Sequence, residues 1–168
     1  MIIYHPAYDI AHCAYRFFLL FENIKVDELS YEKFRVLDFY LLFPNLLKAV
    51  ILPQEIRIAK KAFNNIPEPY ETIPNPSRLM FELSNIQDAC IASLVARGML
   101  DKDAFNSASI KRTQTETPKT IKEKINSDPT TKQPWFIYLV NELISIDFNG
   151  PKGLKARSNL MEYRYDKI

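Results

Sequence analysis

Apolar residues return along this chain at spacings of three and four, and prolines cut the pattern into short helical pieces. Ile10, Cys13 and Ala14, Phe17 and Phe21 predict a helix over 9–23 with one apolar face and Arg16 off that face. Ser30 as N-cap, Glu32 in the first turn and Pro44 as terminator predict a second helix over 30–43. Phe34, Leu37 and Leu41 form one stripe of it, and Val36, Tyr40 and Phe43 another. Phe39 and Leu42 share the remaining side with Arg35 and Asp38. A helix apolar nearly all round is buried on most sides, by its own domain or by a partner. Arg35 and Asp38 lie three apart and are placed to pair, either as a semi-buried structural ion pair or at a protein interface.

Pro53 opens a short third helix with Ile56, Ala59 and Phe63 on one face. Residues 67–76 hold four prolines and read as an extended connector, with Asn75 and Pro76 as N-cap and first residue of the next helix. Within 77–113 a short helix carries Leu79 and Leu83. Ser84 and Gln87 fit a capping box for a second helix over 85–97, with Ile86, Cys90 and Leu94 on one side and Gly98 at its C′ position. A polar turn follows at 101–103, then a strand over 105–113 in which Ala108 and Ile110 alternate with polar residues. That order is expected of a winged helix, and many all-helical domains contain the same pieces. Thr117 and Pro118 begin a charged helix anchored by Ile121 and Ile125. Pro134 opens the last clear helix, over 135–147, with Trp135, Leu139, Leu143 and Ile146 on one face. The expectation is a mainly α single domain with a small β segment: N-terminal helices over 1–66, the connector, a winged-helix-like segment over 77–113, and C-terminal helices and tail over 114–168.

Composition narrows the class more than the function. Of 168 residues, 47% are apolar, 25% charged and only 3 are glycine, which suits a globular protein and disfavours turn-rich β-sandwiches and barrels. The net charge is +2; residues 1–84 carry 9 basic and 10 acidic side chains, residues 85–168 carry 13 and 10. Any nucleic-acid contact is therefore expected in the second half, with Lys111, Arg112, Lys119 and Lys122 as its candidates. The same lysines, interleaved with Glu116, Glu123 and Asp128, equally make an ordinary solvated face. Cys13 and Cys90, both inside apolar helical patterns, read as reduced buried thiols in preference to a single structural disulfide. The first residues lack a secretory pattern, and the most apolar stretch, 34–52, is broken by Arg35, Asp38, Pro44 and Lys48, so the expectation is a cytoplasmic protein without a membrane partner.

Catalytic signatures are missing. There is no phosphate-binding glycine loop, no HExxH or CxxC, no Gly-x-Ser-x-Gly, and no acidic-x-Lys triplet of the restriction-nuclease type. His5 and His12 are the two histidines. The reading is a non-enzyme with no cofactor and no metal.

Three segments are familiar in combination: Tyr4-His5-Pro6-Ala7-Tyr8-Asp9 continuing to His12 and Arg16; the run from Arg35 through Asp38, Phe39 and Leu42 to Pro44; and the ending Leu160-Met161-Glu162-Tyr163-Arg164-Tyr165-Asp166. Together they resemble the middle component of ABC-three-component systems, the small subunit of Lamassu-type bacterial defence operons. The resemblance implies a hetero-oligomer in which this subunit joins an SMC- or Rad50-like DNA-sensing ATPase to an effector, often a nuclease. DNA would then be met through the complex. It brings no catalytic residues with it. Candidate partner-interface residues are Arg35, Asp38, Phe39, Leu42, Tyr163, Arg164 and Tyr165, because aromatic residues and arginine are favoured at interface cores. The alternative is a stand-alone winged-helix DNA-binding regulator.

Overall fold

The computed structural model describes residues 5–162. His5 Nδ1 accepts from the Ala7 amide and fixes a 3-10 turn at Pro6–Tyr8; Asp9 then caps α1 (Ile10–Asn23) through the His12 amide at 2.9 Å. The expected apolar face is buried at Cys13, Phe17 and Phe21, but its first member, Ile10, is exposed, and Arg16, expected off the face, is buried. From Arg16 to Phe21 every side chain is buried, because α2, α5 and α7 pack around this half of the helix.

β1 (Glu28–Ser30) separates α1 from α2 (Tyr31–Leu42). It is too short to leave a periodic trace in the sequence. Ser30 ends the strand and caps α2, its hydroxyl accepting from the Lys33 amide at 3.2 Å. α2 is central: Phe34, Val36, Leu37, Asp38, Phe39 and Tyr40 are all buried, and by this chain itself. Phe34 meets Phe17 edge-on at 4.8 Å and stacks on Phe21 at 5.0 Å. Such ring pairs contribute about 0.5–1.5 kcal/mol beyond their burial.

Pro44 ends α2 as expected, and the chain continues in 3-10 turns at Pro44–Ala49 and Gln54–Ile56 before α3 (Ala59–Asn64). The helix expected from Pro53 is thus split. Lys60 donates to the carbonyls of Lys48 and Val50 and holds this irregular stretch closed. Residues 67–75 form the exposed connector, and Asn75 caps α4 (Pro76–Glu82) through the Arg78 amide.

The capping box at Ser84 does not form. α4 runs almost directly into α5 (Ser84–Ala96): Leu83 stays helical, its amide bonded to Leu79 and its carbonyl to Gln87. No free amide is left for Ser84 to cap, and the Gln87 side chain turns into the core. By length and mean hydropathy, 1.2, the run Pro76–Ala96 is apolar enough to cross a membrane. In the fold its inner side, with Cys90, Ile91 and Leu94, is buried, α5 packs on α1, and 33% of the run's apolar stretch is buried overall. Gly98 ends α5 as the pattern predicted. At φ +70° its amide bonds Val95 and the Met99 amide bonds Leu94, the two hydrogen bonds of a Schellman cap.

Asp101 caps a short helix, α6 (Lys102–Asn106), where the pattern suggested a polar turn and the start of a strand; Phe105 packs from it onto Tyr31. The strand proper, β2 (Ser109–Lys111), pairs antiparallel with β1, Leu29 facing Ile110. An isolated bridge joins Leu100 to Arg112. α6 therefore occupies the place of a wing hairpin, and no extended wing projects among the described residues. α7 (Lys119–Ser127) buries Ile125 as expected. α8 (Pro134–Asn141) stops short of the expected end; a 3-10 turn follows at Leu143–Ser145, with Lys33 donating to the carbonyls of Ile144 and Ile146. The tail contains a helix the pattern did not reveal, α9 (Leu154–Ser158). The result is a mainly helical domain with one two-stranded sheet and one connected core.

Space around Gly98 is open, so only the backbone resists a side chain there. Gly98→Ala is expected to lower the unfolding free energy by about 1 kcal/mol, the strain of a left-handed residue carrying a Cβ. Gly98→Asn should cost less, and urea titration of the two variants against wild type reads the difference.

Candidate functional site

Asp38 has no exposed surface, and its carboxylate is met from two other helices. Arg16 on α1 donates through Nε at 2.7 Å and Nη2 at 3.1 Å; Gln87 on α5 donates through Nε2 at 2.8 Å. Arg35, one turn before Asp38, reaches Gln87 Oε1 instead, at 2.8 Å. The expected Arg35–Asp38 pair is therefore replaced by a four-residue network spanning α1, α2 and α5. The reason is reach: Arg16 lies on the neighbouring helix and closes a two-point contact with the carboxylate. Burial alone would lower the Arg16 pKa, but the Asp38 carboxylate more than reverses this and holds it above its usual value. Arg16 Nη1 is buried without a hydrogen-bond partner. Beside the network, Cys13 contacts Cys90; that contact, burial and Asp38 push the Cys13 thiol far up. Both cysteines are buried and unbridged.

The candidate interface residues divide. Asp38 and Phe39 are fully buried within the chain and offer a partner no surface while this fold holds. Arg35 and Leu42 are half-buried at the edge of the same helix. Tyr163, Arg164 and Tyr165 lie outside the described residues.

The candidate nucleic-acid residues divide as well. Arg112 donates to Glu22 Oε1 and Thr117 Oγ1, both at 3.0 Å, and its guanidinium lies 5.9 Å from the Phe21 ring centre. It ties α1 to the segment after β2 while its side chain stays partly exposed. Lys119 stands 3.9 Å from Glu123 on α7, and Lys111 and Lys122 are exposed. The Tyr15 hydroxyl donates to Asp128, a second tie between α1 and the end of α7.

Apolar groups that do reach the surface lie elsewhere. Ile58, Phe81 and Tyr70 are 73%, 77% and 104% exposed. Between α3 and the start of α8 a groove of about 390 Å³ is lined by Ile58, Ala62, Ile66, Trp135 and Tyr138, with Lys61, Asn65 and Gln133 among its polar residues. The pattern gave a weak sign of it: Ile58 is an isoleucine off the face that Ala59 and Phe63 bury. Trp135 read simply as part of the apolar face of the last helix, and Tyr138 carried no signal. Among the described residues no group of three or more His, Cys, Asp or Glu side chains is placed to hold a metal ion.

Over residues 2–166 the sequence matches the family model described as ABC-three component (ABC-3C) system Middle Component 5. The chain belongs to this family. No curated protein and no solved structure gives a match. The chain is thus a middle component of a multi-component system, and the family points to a non-catalytic subunit.

Two predictions follow from the polar ties of this middle component. Asp38→Ala leaves Arg16 buried without its counter-charge and should cost about 3–5 kcal/mol, whereas Arg16→Met with Asp38→Leu should recover much of the loss. Chemical denaturation of the three proteins tests both. For Glu22, burial raises the pKa, but the Thr117 hydroxyl and Arg112 outweigh it, and the folded value lies below the usual one. Its contribution is thus complete above the unfolded pKa of about 4.3 and is lost as pH falls through the lower folded value. The melting temperature of Glu22→Gln should accordingly fall less than that of wild type on acidification below about pH 4.3.

Proposed function

We propose that this middle component is a non-catalytic adaptor in an antiviral or anti-plasmid defence complex of the Lamassu type, joining an SMC- or Rad50-like ATPase to an effector. The family match over nearly the whole chain carries the reading. The placement of the polar side chains supports it. Arg16, Asp38, Gln87, Arg35, Glu22 and Arg112 are engaged in holding helices to one another. Apolar side chains, in contrast, come together at the surface where Ile58, Trp135 and Tyr138 line one groove, and a contiguous exposed apolar patch is what a docking surface needs. The complex is cytoplasmic in this reading, where two free thiols persist. DNA is engaged by the assembly, with Lys111, Lys119 and Lys122 as auxiliary contacts at most.

The test is co-expression with the proteins encoded beside this chain. The ATPase and the effector should purify as one complex when the chain is present and separately when it is omitted. The isolated chain should neither hydrolyse ATP nor cleave DNA. Turnover that follows this polypeptide through purification would reject the non-catalytic reading. Tight sequence-specific DNA binding by the chain alone would favour the stand-alone regulator.

A further inference from the structure

We propose that the groove between α3 and α8 is where a partner subunit docks, by inserting an apolar anchor flanked by an aspartate or glutamate. The inference rests on the adaptor reading and adds a location and a chemistry to it. The walls are Trp135 and Tyr138 from α8 and Ile58 from the approach to α3. Trp and Tyr are among the residues most enriched at binding hot spots, because one rigid side chain offers both apolar area and a donor. At about 390 Å³ the groove falls within the range of binding pockets, roughly 300–1,000 Å³.

Charge selects the occupant. The residues with polar groups that line the groove are Lys61, Asn65, Gln133, Trp135 and Tyr138, with no acidic residue among them. α8 also begins here with Pro134 and no side-chain cap, so its positive end adds to the field of Lys61. A segment with an apolar side chain beside a carboxylate satisfies both features. A nucleic-acid backbone does not: a single lysine over an apolar floor neutralises little phosphate.

The experiment uses the full chain co-expressed with the other components of its system. Ile58 is 73% exposed and Lys61 is exposed, so Ile58→Asp with Lys61→Glu should leave the melting temperature unchanged. Capture of the partner should fall by about tenfold or more, as expected for the loss of a hot spot. Phe81→Asp, on α4, should leave capture intact. Undiminished capture by the groove variant, or loss confined to Phe81→Asp, would overturn the docking site while leaving the adaptor reading standing. If the wild-type chain captures neither component, the adaptor reading fails, and the docking site with it. A photoreactive phenylalanine at position 58 supplies a second measurement. Cross-linking to a partner peptide with an acidic residue next to its apolar anchor supports the proposal. Cross-linking to a basic peptide, or to a second copy of this chain, overturns it.

Discussion

A carboxylate cut off from water has to be neutralised where it stands, and Asp38 stands between three helices. Arg16 from α1 supplies the charge and Gln87 from α5 a further donor, while Arg35 anchors Gln87 in turn. Each of these bonds has a narrow range of distance and angle. The apolar contacts around them are permissive by comparison. Phe17, Phe21 and Phe34 would tolerate small rotations of α1 against α2, but the two-point contact of Arg16 with Asp38 would not. The network thus selects one arrangement of the three helices, and α5 is drawn in by Gln87 even though its outer side is also apolar.

Around this centre the chain is irregular, and long basic side chains hold it together. Lys33 gathers the carbonyls of Ile144 and Ile146, and Lys60 those of Lys48 and Val50. Arg157 bonds the carbonyls of Lys152 and Ile51. These donors satisfy backbone acceptors that a longer helix would have satisfied internally. Burial lowers the Lys33 pKa, a sign of how far its amine has left the solvent. Many of the charges that a balanced composition supplies are therefore used inside the chain. That explains why a count of basic residues says little about its partners, and why exposed apolar side chains carry more information for a middle component.

Much of the fold was legible because it is written in local rules. Ser30 and Asn75 cap the helices they were expected to cap, Pro44 and Pro134 mark real boundaries, and Gly98 ends α5 in the left-handed conformation its position implied. Each of these depends on residues within a turn of one another. Failures arose where a local signal competed with a stronger one. The pairing of Arg35 with Asp38 and the capping box of Ser84 with Gln87 were both correct in spacing. The pair was displaced because Arg16 and Gln87 meet Asp38 across the core, and the capping box because α4 runs on into α5, so that the Gln87 amide is already bonded to Leu83.

The amino-acid sequence by itself thus determined the helical class, most helix ends, the burial of α2 and the family to which the chain belongs, since these follow from spacing, caps and motifs along one strand of text. Tertiary structure alone decided that Arg16 neutralises Asp38 and that Arg112 is tied to Glu22. It also decided that β1 finds β2 some 80 residues later, and that Ile58, Trp135 and Tyr138 come together around one groove. The physical reason is the same in each case. A buried charge, a strand edge or an exposed apolar wall is completed by whatever the folded chain brings within a few ångströms, and that neighbour is not specified by spacing along the sequence.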